Sequence, residues 1–225
     1  YESITAPENS VISIFGDIDA AKIEDGVLAA THTWNRSYPL TKIPEIDSIN
    51  SVKRNIEKTN KEQSVVTVAF YGAALGQADQ TGLDLISEAL SDMGSRLFSR
   101  IREELGLAYY VGAQNFSGIG TGCFTFYAGT GADSAKQVEE ELIAQAKALS
   151  LEGLTKEELH RAKAKLLGQR KIARQELGSV AFNACMDELL GLGFNHSIDE
   201  EERIKNITLD QVLDVSGRFF SINNY

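Results

Sequence analysis

The stretch that most limits what this chain can fold into is residues 94–114, Gly-Ser-Arg-Leu-Phe-Ser-Arg-Ile-Arg-Glu-Glu-Leu-Gly-Leu-Ala-Tyr-Tyr-Val-Gly-Ala-Gln. Its apolar period changes once, and it changes at a glycine. Leu97, Ile101 and Leu105 recur every four residues, which lines one stripe of a helix. From Leu107 onward the period is two: Leu107, Tyr109, Val111 and Ala113 share one face of a strand, and Tyr110 takes the other. Gly106 stands where a helix ends in a left-handed residue. Ser95 is placed to cap the helix by accepting from a free N–H of the first turn. Arg102 falls near the helix end, where a cation suits the negative pole of the dipole. The pattern therefore predicts a helix, a glycine stop and a strand. The turn carries a guanidinium and a phenol close together.

The flanking segments give the remaining elements. Val11-Ile-Ser-Ile-Phe-Gly16 is rich in β-branched and aromatic residues and predicts a buried strand. Asp19 then caps a helix over Ala20–Thr31, with Ile23, Val27 and Leu28 on one face. Gly16-Asp17-Ile18-Asp19 reads as a turn and a helix cap, because an oxygen-ligand cation site usually needs six or more ligands. Pro39 and Pro44 make 35–48 an extended loop. Residues 50–58 predict an edge strand, with Lys53, Arg54 and Lys58 discouraging further pairing. Val65–Gly72 carries the strongest strand signal, and Thr81–Ser91 has the spacing of a helix. The glycines of Ser117–Gly122 lie between two strand patterns. They connect a hairpin and do not open a helix as a phosphate loop would. On the return strand, 122–129, Phe124, Phe126 and Ala128 share one face.

From Ala135 the pattern is helical. The predicted helices are 135–149, one starting after Thr155, 179–190 and 208–219. Thr155 and Glu158 have the spacing of a capping box. Lys163, Lys165, Arg170, Lys171 and Arg174 read as a solvated basic face. Strands joined by a hairpin, with helices gathered afterwards, favour α+β over a doubly wound parallel sheet. The expected fold is a two-layer α/β sandwich: a mostly antiparallel or mixed sheet with helices on one face.

Composition excludes several function classes. A net charge of −10 argues against a broad nucleic-acid surface and favours basic over acidic peptides. No apolar run approaches the roughly 20 residues of a membrane span; a soluble protein of bacterial cytoplasmic or periplasmic type is expected, with the compartment itself left open. Cys123 and Cys185 make neither a disulfide framework nor a metal pattern, and read as small buried thiols. His32, His160 and His196 stand at no ligand spacing, and no H-x-x-E-H or G-x-S-x-G motif occurs. No metal site is therefore expected in this chain. Its 225 residues suffice for one large domain or two small ones. They are read as a single domain, 1–225. Tyr1 as first residue, with no signal-peptide pattern, suggests a piece of a longer protein.

The segment S-R-L-F-x-x-I-R-E-E-L-G-L-A-Y, residues 95–109, closely resembles the C-terminal-type domain of the pitrilysin/insulysin zinc metallopeptidases, which include the mitochondrial processing peptidases. Shorter similarities lie at the Gly16-Asp17-x-Asp19 turn, at Thr155-x-Glu-Glu-Leu and at Thr208-Leu-Asp-Gln-Val. The resemblance implies a two-layer sandwich that lacks the zinc motif. It implies that Arg102 and Tyr109 reach into a peptide-cleaving chamber and contact substrate, with Tyr110 as the reserve candidate. Zinc is then expected in the parent assembly, in a partner domain or subunit of the same family, with a peptide as substrate. Two other readings stay open: a non-catalytic scaffold subunit of that family, and a stand-alone module that pairs a peptide with a sheet edge.

Overall fold

Phe124 and Phe126 are fully buried, which fixes one face of their strand as a core face. The computed structural model describes residues 6–35, 37, 51–223 and 225. Among these residues the sheet has three antiparallel strands, β1 (Gln63–Gly72), β2 (Ala108–Ser117) and β3 (Gly122–Gly131), in the order β1-β3-β2. The β2–β3 hairpin places β3 centrally, so it receives ladder bonds from both sides. Register aligns Val68, Phe126 and Ala113 across the core face, and Phe70 with Phe124 beside them. Three helices cover that face: α2 (Gln80–Leu90), α3 (Ala135–Glu152) and α7 (Leu209–Phe219). Phe70, Phe124, Phe126 and Phe220 meet edge-to-face or tilted, with ring centroids 4.8–5.9 Å apart. That arrangement suits the ring quadrupoles. The α+β class and the helix-covered antiparallel sheet agree with the sequence pattern.

The capping box at Thr155 forms as the spacing requires. Thr155 N–H donates to Glu158 Oε2 at 2.8 Å, and Glu158 N–H donates to Thr155 Oγ1 at 3.1 Å. It opens α4 (Lys156–Ala173). Glu158 also accepts from Arg96 Nε at 2.7 Å, which ties this cap to the stretch before β2. Burial pushes the Glu158 carboxyl up, but the hydrogen bonds from Arg96 and Thr155 outweigh it and hold the group below its ordinary value.

The chain divides into two compact units. The sheet and its covering helices belong to the one comprising residues 44–167 and 203–225. The other comprises residues 1–43 and 168–202. It contains α1 (Ala20–Thr31) and α5 (Leu177–Leu189), together with the last turns of α4 and most of α6 (His196–Asn206). Asp19 caps α1 as expected, accepting from Lys22 N–H at 3.4 Å.

Several expectations need correction. Residues 11–16 form no strand, and Ile12, Ile14 and Phe15 are 56%, 43% and 41% exposed. Their β-propensity is unmet because no described strand pairs with them, and propensity alone does not make a ladder. Residues 51–58 also form no strand; Lys53 N–H donates to the Tyr225 carbonyl instead, and Arg54 pairs with Glu139. The loop predicted at 35–48 lies outside the described residues except for Asn35 and Ser37. The basic face is mostly paired rather than solvated. Lys165 meets Glu88 at 2.5 Å, Arg170 meets Glu200 at 2.6 Å and Arg174 meets Glu201 at 2.9 Å. Lys163 donates to the carbonyls of Lys205 and Ile207 at 2.9 and 2.6 Å, at the negative end of α6. Both cysteines are free and half-buried rather than buried.

Candidate functional site

The helix before Gly106 starts as the sequence indicates and then widens. Ser95 Oγ accepts from Phe98 N–H at 3.2 Å. From Phe98 to Glu104 the backbone is π-helical. The turn closes with Leu105 N–H donating to the Arg100 carbonyl at 3.2 Å, five residues back. Single π turns are uncommon and are frequent at functional positions. Gly106 has φ +62°, the left-handed value its place in the sequence calls for, and Leu107 N–H returns to the Ile101 carbonyl at 2.9 Å. Leu97 and Ile101 are fully buried, so the opposite side of this helix, with Arg102, faces out.

The strand begins with a second irregularity. Ala108 pairs with Thr130 and Tyr110 pairs with Gly129, leaving Tyr109 as the extra residue of a β-bulge. The bulge resolves a conflict in the sequence pattern. Strict alternation puts Tyr109 on the core face with Leu107 and Val111. The extra residue instead releases it, and it is 71% exposed. Ala108, Val111 and Ala113 keep the core side.

Arg102 and Tyr109 are brought together. The Arg102 guanidinium carbon lies 5.6 Å from the Tyr109 ring centroid and 4.7 Å from that of Phe98. Among the described residues Arg102 makes no hydrogen bond and no ion pair. Arg54, Arg96, Arg100, Arg161, Arg170, Arg174 and Arg218 each make at least one, as Arg96 does with Glu158, Arg100 with Glu104 and Glu141, and Arg218 with Asp79 and Asp214. Its donors are therefore available to a partner, while two aromatic rings hold its planar head. Such contacts are worth about 0.5–1 kcal/mol each at exposed positions. Phe98 is the residue that sequence reading misses; its i, i+4 spacing to Arg102 on the predicted helix is the signal that carries it.

Tyr110, the reserve candidate, has a different environment. It lies on the sheet face away from the helices, over Gly129, where an added Cβ would stand 2.2 Å from its ring. Tyr127 lies over Gly112 in the same way, and the two tyrosine rings are 6.3 Å apart. These are cross-strand packing partners, glycines covered by aromatic rings. Of the two neighbouring tyrosines, Tyr109 is the one whose ring contacts Arg102.

No group of three or more His, Cys, Asp or Glu side chains that could hold a metal occurs among the described residues. His32 closes α1, its Nδ1 2.7 Å from the Ala29 carbonyl. His160 is exposed on α4. His196 is the first residue of α6 and is buried 3.8 Å from Glu200. Zinc thus does not fit the donor set described here. No helix among the described residues is long and apolar enough to cross a membrane.

Fold and site together define an α+β fold with an antiparallel sheet covered by helices on one face and no metal-ligand cluster among its described residues. The family model described as "Peptidase M16 inactive domain" matches residues 1–166, and the chain belongs to that family. Domains of this kind are the halves of pitrilysin/insulysin-type zinc proteases that bind and close over substrate and lack the zinc site. The chain is 27% identical over 223 residues to the "Uncharacterized zinc protease YmxG" of Bacillus subtilis, covering 96% of this chain and 52% of that protein. It is 29% identical over 225 residues to an "Uncharacterized zinc protease" of Rickettsia bellii, covering 95% of this chain and 52% of the relative. The crystal structure of a protease from Helicobacter pylori has the same fold, with a TM-score of 0.79 at 18% identity over 92% of this chain and 51% of that one. The chain spans about half the length of the curated relatives it matches.

Proposed function

We propose that this chain is the substrate-binding, closing half of a zinc metalloendopeptidase whose zinc site lies in another domain or subunit. Arg102 and Tyr109 are the residues assigned to substrate contact. The observation that carries the reading is the state of Arg102: a guanidinium with no hydrogen-bond or ion-pair partner among the described residues, flanked by two rings, beside an exposed phenol. A guanidinium offers several donors in a fixed fork, which matches a peptide carbonyl or carboxylate. The phenol adds a neutral donor toward charge that develops on a scissile carbonyl. The π turn and the bulge support the reading, since each aims one of the two side chains outward at a cost in regular hydrogen bonding.

The test is made in the assembled protein that carries the zinc half. Arg102→Ala and Tyr109→Phe are each expected to lower kcat/KM for peptide about a hundredfold, given that one oxyanion-type donor is worth about 3 kcal/mol. Zinc content and the thermal midpoint should stay near wild type. Tyr109 is exposed, so a stability loss well above about 1–2 kcal/mol in Tyr109→Phe would mark a structural hydrogen bond instead. Wild-type turnover in both variants would end the assignment and leave the scaffold reading.

A further inference from the structure

We infer that Phe98 is a positioning residue: its ring holds the Arg102 guanidinium in the orientation in which it meets the peptide. This inference rests on the substrate-binding reading of Arg102 given above.

The argument starts from the flexibility of arginine. A solvent-exposed arginine has four side-chain torsions and loses about 2 kcal/mol of rotamer entropy when fixed. Most of the described arginines whose partners are set out above are held by carboxylates. Arg102 has none among the described residues, and a carboxylate there would occupy the donors that a substrate needs. A ring face solves this, because it restrains the guanidinium through its plane and leaves the edge N–H groups unused. Phe98 supplies the closer of the two faces, at 4.7 Å against 5.6 Å for Tyr109.

The backbone places Phe98 for this role. Phe98 is the first residue of the π-helical segment, and its own N–H is fixed to Ser95 Oγ at 3.2 Å. Leu97 before it and Ile101 after it are fully buried, which anchors the helix on both sides, while Phe98 itself is half-buried. A half-buried ring on an anchored turn is a stiff platform. Tyr109 sits on the strand side of Gly106 and closes over the guanidinium from the other element. Phe98 therefore contributes orientation and contacts no substrate itself.

The experiment compares Phe98→Leu with Phe98→Tyr, each with two readouts. In the 225-residue chain, NMR relaxation of the Arg102 Nε–Hε group reports how firmly the guanidinium is held. In the zinc-bearing assembly, peptide turnover reports its use. Phe98→Leu is expected to lower the Arg102 order parameter to that of a free surface arginine. It should raise KM about fivefold with kcat nearly unchanged, since orientation lost before binding weakens ground and transition state alike. Phe98→Tyr keeps the ring and should restore both readouts, with the circular dichroism of all variants as wild type. An unchanged order parameter in Phe98→Leu overturns the inference directly. So does a lowered order parameter with wild-type kinetics, provided Arg102→Ala is impaired. If Arg102→Ala is also wild type, the substrate-binding reading has failed, and the inference falls with it. If Phe98→Leu unfolds the chain, Phe98→Tyr and Phe98→Trp decide: a wild-type order parameter and KM in both supports the role, and a raised KM in either despite native dichroism overturns it.

Discussion

The two units of the molecule bury different things. In the unit of residues 44–167 and 203–225 the buried side chains are mainly phenylalanine, leucine, isoleucine and valine, gathered between one sheet face and three helices. In the unit of residues 1–43 and 168–202 they are few, and they include His196, Glu200 and Glu201. There the large apolar residues stay outside: Leu28 on α1, Leu177 and Phe182 on α5, and Phe194 and Ile198 beyond it. The sequences of the two units are similarly apolar in pattern. What differs, among the described residues, is the presence of a second layer. An amphipathic helix acquires a buried face only when another element covers it, and α1 has no buried residue at all.

The largest effect that would sharpen this contrast is expected from the core phenylalanines. Phe126→Ala should destabilise its unit by about 3–5 kcal/mol, since the ring is fully buried against Phe70, Phe124 and Phe220. Phe182→Ala, 65% exposed on α5, should stay within about 0.5 kcal/mol. Hydrogen exchange followed segment by segment measures both in the intact chain, and equal losses would break the comparison.

A smaller effect is expected at Glu158. Its replacement by Ala removes a capping-box acceptor and leaves Arg96, only 21% exposed, with a single remaining bond to the Gly153 carbonyl. Breaking a pair this sheltered should cost about 3 kcal/mol. Urea unfolding checks it, and Glu158→Gln, which keeps an acceptor, should recover part of the loss.

The smallest effect concerns pH and has opposite signs in the two units. Hydrogen bonds from Arg218 hold the Asp79 carboxyl below its ordinary value, as Arg96 and Thr155 do for Glu158. A depressed carboxylate stabilises the fold above its unfolded pKa, and that contribution is lost as pH falls below about 4 toward the folded value. Burial pushes Asp187 up, against the opposing charge of His196. Its contribution is full below the unfolded value near 4 and is lost as pH rises through the folded one. Acidification from neutrality should therefore lower protection around α2, α7 and the start of α4 while raising it in α5. A uniform loss in both would remove the distinction.

Much of this was legible in the residues. The strands at 63–72 and 122–131 announce themselves by β-branched and aromatic runs, and the Thr155–Glu158 box by its spacing. Arg102 and Tyr109 stand out through the turn that joins their elements. The failures have a common physical origin. Val11–Gly16 has the composition of a strand, but a strand exists only through a ladder partner, which lies outside any local pattern. Lys163, Lys165, Arg170 and Arg174 look like a solvated face because their carboxylate and carbonyl partners come from 88 and 200–207, far along the chain. The outward turn of Tyr109 was hidden for a third reason. A bulge inserts one residue into an otherwise perfect alternation, and period counting assigns that residue to the wrong face.

That inserted residue has a consequence for how the segment tolerates changes of length. Between Phe98 and Tyr110 the backbone carries two single-residue excesses, the π turn on one side of Gly106 and the bulge on the other. Each is a place where removing one residue would restore regular structure. A deletion at either place would leave the helix or the strand locally more ideal. It would also rotate Arg102 by about 100° around its helix, or turn Tyr109 to the opposite sheet face. Length in this loop therefore encodes aim. Substitutions can be absorbed one side chain at a time, whereas a one-residue change in spacing redirects the pair while improving the scaffold that carries it.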